Sequence, residues 1–308
     1  MYYPVLRGRQ NELLAIRELL KDGKLENIIP IIEPVKASST LLSVLKEYEN
    51  QKKQLFLVAN PIVGSFEKEL GQNAEFRNEF FEIVLNNPSF VGAYYIGNNS
   101  CSNIMPNIFK KRAYCLNAEN REDYEKTCLK IEPCYTLISS ENQRIRRLAH
   151  GEKISLVSAF RPQKRNADYC EHDHDYLTEE PFYYKEEGLT GFSDYSVIGE
   201  EYSEGGFLPK VVALHFVHWN EKRNQLLVRH FTSSRKNQSS DIAKKFHEAL
   251  GSLLSWAEEN PELFENTKAL SEMKQIYKDE RFPGLGVAKR LAIKHHLELV
   301  NNLLEQQR

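Results

Sequence analysis

The chain has 308 residues, 41% apolar and 27% charged, with a formal net charge of −2 at neutral pH. That length fits one large α/β domain or two smaller ones, and the composition excludes a disordered chain and a global basic field for nucleic acid. The five cysteines form no CxxC pair, and no apolar run is long enough to span a bilayer. The odd cysteine count and the lack of a recognisable signal peptide point to the reducing cytosol, with no membrane contact.

The N-terminal stretch YYPVLRGRQNELLAIRELL predicts a short extended piece and then a helix over 10–20. Eight β-type runs follow, at 28–35, 55–60, 90–96, 113–117, 134–139, 154–160, 192–198 and 211–219. Most are continuously apolar, the pattern of strands buried on both faces. Helical spacing falls between them, at 39–51, 67–85, 123–131 and 142–150, and again at 241–259, where Ile242, Phe246, Leu250, Leu253, Leu254 and Trp256 share one side. The run LLVRHFTSS after Trp219 predicts one more strand, a hairpin partner of the eighth across NEKRN. The last forty residues predict two helices around ERFPGLG.

Repeated strand–helix alternation implies a parallel sheet, and eight repeats favour a (β/α)8 barrel of TIM type. The alternative is an open doubly wound sheet, but no GxGxxG follows a strand. The expected layout is a barrel over 1–260, distorted in its second half and carrying a lid-like insertion at 161–190, with a C-terminal helical extension at 261–308.

Barrel chemistry collects where strands end. This rule selects Glu33, Asn60, Arg161, Asp194 and His215. The helix over 10–20 should begin at the same face and bring Arg7 and Arg9 near Glu33, where two guanidinium groups suit an anion. Glu33 lies in an apolar run, so its carboxylate needs a partner, and an ion pair with Arg7 or Arg9 is the structural alternative. Asn60 before Pro61 fits a turn, Asp194 fits a cap, and His215 fits a satisfied core histidine. The pair His295–His296 reads as structural, because adjacent helical residues face different ways.

The segment RPQKRNADYCEHDHDYL (161–177) is basic at its start and acidic in its middle. Arg161, Lys164 and Arg165, followed by Asn166 and Asp168, read as a phosphate- or carboxylate-binding lip. His172 and His174 with Asp168, Asp173 and Asp175 are a weak pattern for a divalent metal, since HxH alone is not a zinc signature. Solvation of a polar loop is the plainer reading.

The positions Tyr2, Pro4, Leu6, Arg7, Gly8, Arg9 and Glu12, followed by Pro30, Ile32 and Glu33, resemble the opening of the bacterial and phage "beta protein" family. The segments RNADY and GFSDYSVIG look like a bacterial subgroup of it. The resemblance implies a barrel-like fold and a setting in conflict between bacteria and phages, and it supplies no catalytic residues.

Two functions follow as expectations. The first is a hydrolase or lyase acting on a phosphate-bearing nucleotide or nucleic acid. Glu33, Asp194 and His215 would be its catalytic groups, and Arg7, Arg9, Asn60, Arg161, Arg165, Asn166 and Asp168 would bind substrate. The second is a non-catalytic barrel that binds a protein or nucleic acid within a multi-protein bacterial system. Convergence of Glu33, Asp194 and the arginines at one mouth separates the two.

Overall fold

The computed structural model describes residues 1–97, 108–139, 143–158, 160, 162–204, 209–234, 241–263 and 266–307. They form two compact units. The first comprises 1–22, 27–157 and 183–194. The second comprises 23–26, 158–182 and 195–308. The division therefore does not fall near residue 260, and the residues of the expected lid are split between the units.

The first unit is a (β/α)8-type barrel. Its strands are β1 (Val5–Leu6), β2 (Ile31–Ile32), β3 (Leu55–Val58), β4 (Phe90–Tyr95), β5 (Lys111–Leu116), β6 (Tyr135–Ile138), β7 (Glu152–Val157) and β9 (Gly191–Asp194), while β8 (His174–Thr178) belongs to the second unit. They pair in that order, all parallel. The ends of the sheet meet at Tyr2 and Phe192, where the Tyr3 amide donates to the Phe192 carbonyl (2.8 Å) and the Phe192 amide donates to the Met1 carbonyl (3.1 Å). The first barrel strand is thus the short piece after Pro4. The run at 192–198 supplies the eighth, which ends at Asp194 and passes into a 3-10 turn.

Helices α1 (Gln10–Lys21), α2 (Ser39–Asn50), α3 (Phe66–Gln72), α4 (Ala74–Asn86), α5 (Arg121–Cys128) and α6 (Gln143–Leu148) follow β1, β2, β3, β5 and β6, with α3 and α4 together after β3. The sequence suggested one helix over 67–85. Asn73 divides it, because its backbone is extended and its side chain caps the Phe76 amide. A single helical turn, α7 (Glu180–Tyr183), lies just ahead of β9.

The second unit is built on an antiparallel sheet, in the order β10 (Ala213–Asn220), β11 (Gln225–Thr232), β8 (His174–Thr178). The expected hairpin forms, with Asn220 paired to Gln225 so that the turn is 221–224, and with Asn224 in the left-handed conformation. The run at 211–219 is therefore not a barrel strand. Its alternation of Leu214, Phe216 and His218 with His215, Val217 and Trp219 suits a two-faced antiparallel strand. On one face Phe216 stacks on His295 of α10 (Leu285–Gln306), with centroids 4.2 Å apart, and His218 meets Trp256 of α8 (Ile242–Glu259). Helix α9 (Lys268–Lys278) starts at Thr267, whose hydroxyl caps the Leu270 amide.

Candidate functional site

Side-chain direction in the barrel follows from register. The Thr136 hydroxyl meets Tyr124 of α5, so Thr136 faces the helices. It pairs with Lys153; Ser155, two residues on, pairs with Phe192; and Asp194 lies two beyond that. Asp194 therefore shares the helix-side face, where it accepts a 2.6 Å hydrogen bond from the Tyr2 hydroxyl. Burial and the Asp194 charge push the Tyr2 phenol far above its ordinary range. Glu33 follows the opposite parity. Ile31, Phe56 and Val91 align in register, and the same alternation carries through Ala113 to Tyr135, the neighbour of Thr136. Glu33 thus points into the barrel, and the expected convergence of Glu33 with Asp194 does not occur.

Glu33 is fully buried and ion-paired to Arg7. One carboxylate oxygen also accepts from the Tyr95 hydroxyl (3.0 Å) and the other from the Ile62 amide (2.8 Å). The Arg7 amide donates to Glu12, itself buried, at 2.7 Å. Gly8 completes the arrangement: its φ is +60°, and a Cβ there would lie 2.8 Å from the Glu33 carbonyl oxygen. Sequence reasoning correctly joined Arg7 to Glu33. The result is a buried ion pair committed to holding β1 against β2, in place of an open anion site. Arg9 occupies the N-cap position of α1 with an extended backbone. Asn60 clamps β4, its amide donating to the Tyr95 carbonyl (2.8 Å) and accepting from the Tyr95 amide (3.0 Å).

His215 lies in the second unit, with a different set of partners. Directly across the hairpin is His230, and their Nδ1 atoms are 2.8 Å apart. His230 Nε2 lies 3.0 Å from Asp175 Oδ2, on β8. Tyr169 packs on both imidazoles, with centroids 4.6 and 4.4 Å away, and Phe160 lies beside them. Tyr169 is fixed by its hydroxyl, which accepts from the Gln163 amide. Burial, then the neighbouring His230 and Lys289, push His215 down to about 3. Burial also lowers His230, against the opposing pull of Asp175.

Both rings are therefore neutral at pH 7, and their tautomers follow by elimination. His230 donates Nε2–H to the Asp175 carboxylate, which leaves its Nδ1 as an acceptor. His215 must then donate Nδ1–H to His230, and its Nε2 carries the lone pair. Among the described residues that Nε2 has no hydrogen-bond partner, and His215 is only half-buried. The arrangement Asp175–His230–His215 presents a base backed by a second imidazole and a carboxylate.

The remaining expected residues fall as follows. Arg161 lies outside the described residues. Arg165 and Asp168 are exposed on the second unit, and Asn166 donates to the Val211 carbonyl (3.0 Å). The described part of that segment, 162–177, forms a 3-10 turn over Asn166–Glu171 and then enters β8, so it is built into the antiparallel sheet. Among the described residues no group of three or more metal-binding side chains is placed to hold an ion. His295 is bound by Thr267 and the Val217 carbonyl, and His296 by Ser196, each at 2.8 Å. They face different ways, as adjacent helical residues should.

His230 and Asp175 were the residues whose role sequence reasoning missed. The hairpin held part of the signal: the turn is 221–224, one residue shorter than the NEKRN connection expected from the sequence, and this register places His215 opposite His230. No family model, curated protein or solved structure matches the chain. No helix among the described residues is long and apolar enough to cross a membrane.

Proposed function

We propose that the protein is an acid–base enzyme, a hydrolase or lyase, in which His215 Nε2 takes a proton from the substrate or from an attacking water. His230 and Asp175 act as positioning residues that hold the base tautomer and share the incoming charge. The single observation that carries this reading is the unbroken hydrogen-bond chain from a carboxylate through two neutral imidazoles to a half-buried lone pair. Lys289 disfavours the protonated form of His215, so its positive charge acts on this part of the second unit. A substrate carrying an anionic group, such as a phosphate ester of a nucleotide, suits the pairing.

The test is turnover of a panel of phosphate mono- and diesters, including nucleotides, by wild type and His215→Gln. The expected loss on substitution is about 10²–10⁴-fold, the usual contribution of a positioned acid–base group. Equal turnover by both proteins, or none by the wild type, would overturn the proposal.

The second reading, a barrel that binds a protein or nucleic-acid partner without catalysis, is favoured by one observation. The Glu33 carboxylate is occupied at both oxygens by structural partners. In that reading the first unit is a scaffold, and the resemblance in its opening residues would place it in bacteria–phage conflict.

A further inference from the structure

We propose that His172 is the solvent end of a proton path that runs through Asp175 and His230 to His215. This deepens the acid–base reading and rests on it. Three observations support the path.

The first is connectivity. His230 uses Asp175 Oδ2, and His172 Nε2 approaches the other oxygen, Oδ1, at 4.0 Å. The carboxylate is thus flanked by one imidazole on each side. The second is a gradient of exposure along the chain. The His230 side chain is 0% exposed, Asp175 23% and His172 66%. His230 cannot trade its ring proton with water directly, whereas His172 can. The third is local order. His172 ends the 3-10 turn over Asn166–Glu171, and its amide donates to the carbonyl of Tyr169, the residue whose ring covers both inner histidines.

The other charged groups near the path are Asp173, ion-paired to His174 and Arg229, and Lys289 beside His215. His174 and, to a smaller extent, His172 both disfavour protonation of His230, which favours passage of charge toward Asp175.

The transfer balances. A proton from the substrate forms a bond to His215 Nε2. The His215 Nδ1–H bond breaks as its proton moves to His230 Nδ1. The His230 Nε2–H bond breaks in turn, and that proton neutralises Asp175. Rotation of the neutral carboxyl presents the proton to His172, which releases one to water. One proton enters and one leaves. Asp175 is again a carboxylate, and both inner rings hold the opposite tautomer. His215 now bears Nε2–H, the form that donates to a leaving group, and the reverse passage restores the resting state.

The experiment is NMR measurement of exchange between the His230 Nε2 proton and water, on wild type and on His172→Ala, with and without imidazole in the buffer. His172 is exposed, so the variant should fold. The expected result is exchange slowed by about a hundredfold in the variant, the lower end of what one positioned acid–base group contributes, and restored by imidazole. Exchange within about twofold of wild type, a change too small for such a group, would overturn the path. The measurement needs no substrate. A failed turnover screen would therefore sink the assigned activity, and unchanged exchange would separately sink the path.

Discussion

The second unit should be unusually sensitive to mild acid. His215, His295 and His296 are held near pKa 3 and His218 near 4, in each case chiefly by burial. In the unfolded chain each returns to about 6.5. Below that value the unfolded state binds protons that the folded state refuses, so stability is full above pH 6.5 and falls as the pH drops toward 4. Each ring costs about 1.3 kcal/mol between pH 7 and 5.5, and the four together about 5 kcal/mol. That is comparable to the whole stability of a modest domain.

Both tryptophans, Trp219 and Trp256, lie in this unit, so indole fluorescence reports on it alone. Urea unfolding followed by fluorescence should show a midpoint that falls steeply between pH 7 and 5.5. His218→Leu should flatten the dependence by about 1.3 kcal/mol across that range, or about 0.9 kcal/mol per pH unit. A midpoint constant over that range would refute the reasoning, because neutral buried rings cannot coexist with pH-independent stability.

Two further predictions concern the barrel. Arg7→Ala leaves the buried Glu33 carboxylate without its counter-ion, and should destabilise the protein by about 3–5 kcal/mol in equilibrium unfolding. Gly8→Ala places a Cβ against the Glu33 carbonyl at a positive φ, and should lower stability by at least about 1–2 kcal/mol.

The barrel was largely legible because its strands are continuous apolar runs separated by amphipathic helices. The count slipped by one for two physical reasons. Val5–Leu6 is only two residues long, below the length at which periodicity speaks, and the hairpin strand at 211–219 is as apolar as a barrel strand. The Arg7–Glu33 contact was readable because a carboxylate in an apolar strand demands a partner. The face of Asp194 was not, since it depends on register carried across several strands. The second unit draws on residues 23–26, 158–182 and 195–308, a composition that chain order conceals. Asp175 looked like one acid in a solvated loop. Only its placement on β8 beside β11 brings it to His230.

The central claim is the direction of the hydrogen bonds in Asp175–His230–His215, and ring-nitrogen NMR shifts of the histidines test it most directly. At pH 7 the account predicts a pyridine-type Nε2 and a pyrrole-type Nδ1 on His215, with the opposite assignment on His230. In Asp175→Asn, whose amide can donate to His230 Nε2, both tautomers should reverse. A protonated Nε2 on His215 in the wild type would contradict it.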